Sequence, residues 1–420
     1  MEKKFLCFML YLLPFIDSVN GFLIQSAGIN LSVGVAYRLL LFLSIAFCMY
    51  TAKMDSKILK ITILLTVCLF SSVMFHFEGN RQNEILDISK IILFPLLFAV
   101  VSSFMKYDAT FAVKIKRIFN WYVVAFPLTL IIPYVLGIGY SSYENNTGYR
   151  GFYIALNAIS SAIILMCIYS FYLMIKKVGV RSCIVFLMNL FCTFILGTKS
   201  AYLIIVASIV VITLGDIIFR QAVRMDIIRI AALGVIAVGL IVVKEWQLIV
   251  GIVDRWQYFF NSKSFINFIT SDRADRLIPA MKYIINSKYR IIYLLFGYGL
   301  IPGSEKFEYT LMEMDFFDMF YLYGIINFAL TCTLVVAIYK KAPKEKNIIY
   351  KYLYFITILL AFWVGHILTN ALSVMVFALI AAFMCYDGDA DNPRLKEKTA
   401  VVKKPETVGK QYIENDKSKT

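Results

Sequence analysis

Apolar runs of about 20 residues recur along almost the whole of this 420-residue chain, and they limit it to one class of structure. A helix rises 1.5 Å per residue, so such a run crosses a hydrocarbon layer of about 30 Å. Soluble helices bury narrower apolar faces at helical period, interrupted by polar positions. Hydrophobic residues make up 60% of the chain, above the roughly 45–50% of soluble proteins. The runs predict an all-α polytopic membrane protein of about twelve transmembrane helices. Spans are expected near 5–24, 31–51, 58–77, 85–105, 118–138, 152–175, 182–197, 200–219, 229–249, 316–339, 350–368 and 371–386. The last two share one apolar block, with a tight turn expected at Thr369-Asn370. The N-terminal run lacks a small-residue cleavage site and reads as an uncleaved first helix.

Charge sets the expected orientation. The net charge is +15, but the cations lie in short loops and the C-terminal tail. That is a topology signal, and nucleic acid is not an expected partner. Alternate loops carry Lys53 and Lys57, then Lys106, Lys114, Lys116 and Arg117, then Lys176, Lys177 and Arg181, then Arg220 and Arg224, then Lys340, Lys341, Lys344 and Lys346. The intervening loops carry Arg81, Arg150 and Lys199. The richer set is therefore expected in the cytoplasm, with both termini. The layout becomes 1–249 for helices one to nine, 250–315 for one large outer loop, 316–386 for the last three helices, and 387–420 for a basic, disordered cytoplasmic tail. A loop that long is functional or disordered as a rule, and apolar patches such as Ile291–Phe296 favour a folded one.

Several chemistries find no support. The eight cysteines all fall in apolar runs without metal spacing, so they read as small buried side chains, with no disulfide framework or zinc site. There is no Walker motif, no GxGxxG after a strand and no HExxH, so neither metal nor nucleotide cofactor is expected.

The polar residues worth weighing lie mostly outside. Arg273 and Arg276, three apart in Ser271-Asp272-Arg273-Ala274-Asp275-Arg276, would share one helix face. Two guanidinium forks suit a diphosphate; alternatively, Asp272 and Asp275 make this a salt-bridged, solvated helix. Arg255, in Asp254-Arg255-Trp256, is a further cation of the same loop. Gly197-Thr198-Lys199-Ser200 opens a span, where a lysine beside free N–H groups forms an anion site or snorkels to the surface. Phe296-Gly297-Tyr298-Gly299 permits a tight turn or a close backbone approach. Met312-Glu313-Met314-Asp315-Phe316-Phe317-Asp318 leads into the tenth span. Its carboxylates either answer the helix dipole or include a base for a sugar hydroxyl. Asp17 and Arg38 are expected at equal depth in neighbouring helices, where they could pair. His76 and His366, the two histidines, lie near outer span ends, with Asn370 one turn beyond His366, and either bond at the interface or accept a proton.

The order of these features resembles the O-antigen polymerase and ligase family, and within it the Wzy-type polysaccharide polymerases. The resemblance runs from Arg150-Gly151-Phe152 and Asn157 through Gly197-Thr198-Lys199-Ser200, Arg273 and Gly297-Tyr298-Gly299 to Glu313, eleven residues before Gly324. It implies a C-type glycosyltransferase-like fold in the bacterial inner membrane, with the site facing the periplasm. It implies metal-independent transfer of a glycan from undecaprenyl diphosphate to a sugar hydroxyl of the next lipid-linked unit. A chain-length regulator and a flippase would be partners. Arg273, Arg276, Lys199, Arg255 and Arg150 would hold the diphosphate or glycan. Glu313 leads the candidates for the base, ahead of Asp315 and His366. Trp256, Tyr258 and Tyr298 could stack on sugars. The family often has arginine where this chain has Lys199, and its ligases carry His-Asn where this chain has Glu313-Met314, which favours a polymerase over a ligase. A lipid-linked oligosaccharide flippase is the alternative from another class, against which stand the long outer loop and the lack of an internal repeat.

Overall fold

The computed structural model describes residues 2–29, 33–77, 80–143, 147–177, 179–220, 273–300 and 311–388, with Val250 and Gln257 as isolated positions. The expected span at 229–249, Arg255, Trp256, Tyr258 and the tail from 389 lie outside the described residues. What is described is almost entirely helical. The first half contains α1 (Glu2–Gln25), α2 (Val33–Thr51), α3 (Ser56–Met74), α4 (Arg81–Tyr107), α5 (Ala109–Val135), α6 (Leu156–Lys176), α7 (Val180–Leu196) and α8 (Lys199–Arg220). The second contains α9 (Ala274–Asn286), α10 (Arg290–Phe296), α11 (Asp315–Tyr339), α12 (Ile348–Trp363) and α13 (Ala371–Cys385). Eight of these are long and apolar enough to cross a membrane; α7, α12 and α13 are shorter apolar helices. The chain is a multi-pass membrane protein.

Its core runs opposite to the simple expectation that apolar faces turn inward. α2 leaves Leu39, Leu40, Leu43 and Phe47 exposed on its outside, where lipid tails solvate them as well as protein would. α13 is buried on every side and stacks Phe377 on Phe94 of α4, ring centroids 4.3 Å apart. Its 15 residues span only about 22 Å, too short for the bilayer, but its neighbours and not lipid surround it.

In hydrocarbon every backbone carbonyl needs a donor, and prolines inside helices take donors away. Pro14 in α1 cannot bond Leu10 O; Tyr122 of α5 does so through its hydroxyl at 2.5 Å. Pro127 in α5 cannot bond Val123 O; Asn189 of α7 donates to it at 2.8 Å. These two polar side chains, buried among apolar ones, thereby pin α1, α5 and α7 together.

The connections sort onto two faces. On one, Ser26 Oγ meets Tyr140 OH at 3.1 Å, Asn80 N bonds Leu300 O at 2.8 Å, and Asn157 Nδ2 reaches Val364 O at 3.4 Å. On the other, Lys3 pairs with Asp108 at 2.8 Å and Lys341 with Asp55. This alternation follows the expected loop order. α5 starts earlier than expected because Asp108 closes α4 and caps α5, accepting from Phe111 N at 3.0 Å. Lys116 is thus not a loop cation: it is buried, donating to Tyr169 OH at 2.7 Å and to Tyr350 OH, above their rings. Asp17 and Arg38 lie on packed helices without an ion pair among the described residues; Arg38 Nε bonds Gly34 O at 2.7 Å.

A short hairpin, β1 (Tyr140–Ser141) and β2 (Tyr149–Gly151), links α5 to α6. Between α12 and α13 the chain does not turn tightly at Thr369-Asn370. It runs non-helically through residues 364–370, with Gly365 and His366 in the left-handed region.

Candidate active site

α11 is broken at Gly324, whose φ of 83° and ψ of 173° are open to glycine alone. The break frees the carbonyls of Tyr321 and Leu322, and residues 298 and 299 claim them: Tyr298 N and Gly299 N donate at 3.1 Å each. A Cβ on Gly297 would strike the Leu322 carbonyl, and one on Gly324 the Leu295 carbonyl. The glycines around Tyr298 therefore serve a backbone-to-backbone seam, not a ligand. Tyr298 itself is only 1% exposed, packed beside Tyr283 and Tyr321, and does not line the cavity described below.

The seam continues into a buried dyad. His76 Nδ1 lies 2.8 Å from Glu84 Oε2, and His76 Nε2 is 3.0 Å from Phe296 O. A carbonyl only accepts, so Nε2 carries a proton. Glu84 Oε1 accepts from Leu300 N at 2.8 Å. Both side chains are fully buried, so His76 fixes the hairpin of α9 and α10 to α3 and α4.

Beside the seam opens a cavity of about 550 Å³. Arg273 and Arg276 line it and converge on Glu313. Arg273 donates through Nε and Nη2 to Glu313 Oε2 at 3.2 and 3.0 Å. Arg276 Nη1 stands 3.2 Å from Glu313 Oε1 and 3.2 Å from Leu311 O. Burial pushes the Glu313 carboxyl up, but the two guanidinium charges and their hydrogen bonds outweigh it and hold it below the usual glutamate range. Glu313 has a φ of 59°, rare for a residue with a Cβ. Gly365 packs so closely on its carbonyl that a Cβ there would collide with it.

The other carboxylates of this segment are engaged by backbone. Asp315 is 0% exposed. Its Oδ2 accepts from Ile367 N and Leu368 N at 2.6 and 2.8 Å, and Thr369 Oγ1 donates to Oδ1 at 3.0 Å. It is a clamp on the 366–369 segment and lies behind the cavity wall. Asp318 accepts from Met312 N and Met314 N at 2.7 and 3.1 Å, shaping the loop that carries Glu313. That clamp sets His366 and Thr369 on the cavity wall, with His366 Nδ1 3.5 Å from Thr369 Oγ1.

Two further predicted residues share this face without lining the cavity. Lys199 opens α8 behind Gly197, which packs on Gly148 and lies near Tyr143, a cavity residue. Arg150, on β2, donates to Ile154 O at 2.9 Å and to Gln25 Oε1 at 3.4 Å. Among the cavity residues that escaped the sequence reading are Asp87 and Lys90 of α4 and Tyr323 of α11. The signal was available, because two charges at the margin of a span stand where ionised groups are costly.

The arrangement can bind an anion through two forked guanidiniums and offer polar groups to a sugar. Residues 1–252 match the family described as O-antigen ligase like membrane protein. The chain belongs to this family. The matched part supplies Asp87, Lys90 and Asn157 to the cavity, while Arg273, Glu313 and His366 lie beyond it. No curated protein matches the chain. Membership places it, at a coarse level, among membrane proteins of surface-polysaccharide assembly that transfer glycosyl groups.

Proposed function

We propose that this protein polymerises lipid-linked oligosaccharide repeat units at the periplasmic face of the bacterial inner membrane. The growing glycan leaves undecaprenyl diphosphate and joins a sugar hydroxyl of the next undecaprenyl-diphosphate-linked unit. The observation that carries this reading is the convergence of Arg273 and Arg276 on one carboxylate inside a cavity. Glu313 occupies the place where a diphosphate would be held, and the same guanidiniums would meet the charge that develops as the diphosphate departs. Lys199 and Arg150, on the same face, would guide the lipid-linked substrate. Direct displacement of the diphosphate inverts the anomeric centre. The basic loops support a cytoplasmic placement of the opposite face.

The family's description favours a second reading, ligation of the finished glycan to lipid A-core. Deleting the gene in its host and resolving the surface glycan by electrophoresis separates the two. A product collapsed to core plus one repeat supports the polymerase. Loss of all repeats, with lipid-linked glycan accumulating in the periplasm, supports the ligase; accumulation in the cytoplasm would refute both in favour of a flippase. Complementation with Arg273→Ala should restore the protein to the membrane but no polymer; polymer of normal length would remove Arg273 from the site.

A further inference from the structure

The cavity has a wall that the arginine pair does not explain. α4 contributes Asp87 and Lys90, one turn apart, with Lys90 Nζ 2.5 Å from Asp87 Oδ1. Asp87 Oδ2 accepts no hydrogen bond among the described residues. The neighbouring carboxylates are otherwise engaged: Glu313 by two arginines, Asp318 and Asp315 by backbone N–H groups, Glu84 by His76 and Leu300 N. Across from Asp87, Tyr323 lines the same cavity at 1% exposure, and its hydroxyl has no hydrogen-bond partner among the described residues. Asp87 is near enough to act on it electrostatically. A buried hydroxyl without a partner is costly and uncommon. A tyrosine of the cavity wall with such a hydroxyl, beside an open carboxylate oxygen, has the chemistry to bind a ligand that both donates and accepts.

We propose that this wall is the acceptor subsite, that Asp87 is the general base, and that Tyr323 hydrogen-bonds the acceptor sugar. Lys90 is a positioning residue, holding Asp87 through Oδ1 so that Oδ2 faces the cavity. The proposal rests on the polymerase reading. In the reaction the acceptor hydroxyl gives its proton to Asp87 Oδ2, and its oxygen bonds the donor's anomeric carbon. The bond from that carbon to the diphosphate oxygen breaks, and its electron pair leaves with the diphosphate, opposite Arg273 and Arg276. Asp87 then returns the proton to solvent.

The test uses the deletion strain complemented with full-length Asp87→Asn, Asp87→Glu, Tyr323→Phe and Arg273→Ala. Membrane level, polymer formed, and binding of undecaprenyl diphosphate by the purified chain are measured. Asp87→Asn should bind undecaprenyl diphosphate as the parent does yet polymerise about 100-fold more slowly or worse, the range lost with a general base. Asp87→Glu should recover part of the rate. Tyr323→Phe should lower the rate roughly tenfold, the scale of one hydrogen bond, and leave thermal stability no lower than the parent's, because it removes a buried hydroxyl with no partner among the described residues. Polymer from Asp87→Asn at more than a tenth of the parental rate overturns the proposal. Should Asp87→Asn not reach the membrane, an unchanged rate in Tyr323→Phe overturns it instead. Active Asp87→Asn beside inactive Arg273→Ala removes this inference alone, whereas failure of the parental chain to restore polymer removes the polymerase reading itself.

Discussion

Replacing Asp315 with alanine should unseat the 366–369 segment, and replacing it with asparagine should largely keep it in place. The buried carboxylate accepts from Ile367 N, Leu368 N and Thr369 Oγ1 at 2.6, 2.8 and 3.0 Å. Ile367 and Leu368 are 0% and 4% exposed, so water cannot replace the lost acceptor. Each orphaned N–H costs about 1–3 kcal/mol, giving about 2–6 kcal/mol for Asp315→Ala. That is a large share of a total stability of about 5–15 kcal/mol. Asparagine keeps one oxygen for the two N–H groups, and Thr369 can turn to accept from the new amide, so the loss is nearer 1 kcal/mol, the charge-assisted part of the bonds. Thermal unfolding in detergent should show Asp315→Ala several degrees below the parent and Asp315→Asn close to it. Polymer formation should follow the same order, because His366 depends on the clamp. A stable but inactive Asp315→Asn would refute the assignment of Asp315 to structure, since only a residue taking the proton needs the carboxylate as such. An unchanged transition in Asp315→Ala would refute the energetic argument.

Other consequences are open to the same assays. Gly324→Ala should cost about 1–3 kcal/mol for its φ and ψ alone, and more for the collision with Leu295, visible as a lower transition temperature and easier proteolysis around 297–299. Asn189→Leu, which leaves Val123 O without a donor, should cost about 1–3 kcal/mol, and restoring the backbone bond with Pro127→Ala should recover part of it. Because Glu313 is held below its ordinary range in the folded protein, its pairing stabilises fully above the unfolded value of about 4.3 and is lost as pH falls through the lower folded one. Acid unfolding should therefore be less steep in Glu313→Gln below about pH 4.3; identical profiles would contradict the pairing.

The membrane helices were legible because apolar run length is a direct physical requirement of the bilayer. The run expected at 85–105 lies within α4, Arg81–Tyr107. Where side chains bond inward, composition was a poorer guide. Lys116 reads as a loop charge, yet two tyrosines accept it within the bundle. The 364–370 break is longer than a tight turn because Asp315, some fifty residues away in sequence, supplies acceptors for its N–H groups. At the site, Arg273 and Arg276, three apart at the start of α9, both reach Glu313. The spacing of Glu313, Asp315 and Asp318 could not reveal that Glu313 and Asp318 line the cavity while Asp315 is held by backbone behind it. Asp87 and Lys90 were hidden in plain view at a span margin, since their significance depends on α11 and the 364–370 segment folding against them.

The hydrogen bonds from Tyr298 and Gly299 into the break of α11 also bear on how substrate must travel. They splice the hairpin of α9 and α10 to a membrane helix by main chain, beside the His76 contact to Phe296 O. The arginines at the start of α9 belong to the hairpin that this joint ties to α11, so on the polymerase reading the glycan would be drawn past them with the joint intact.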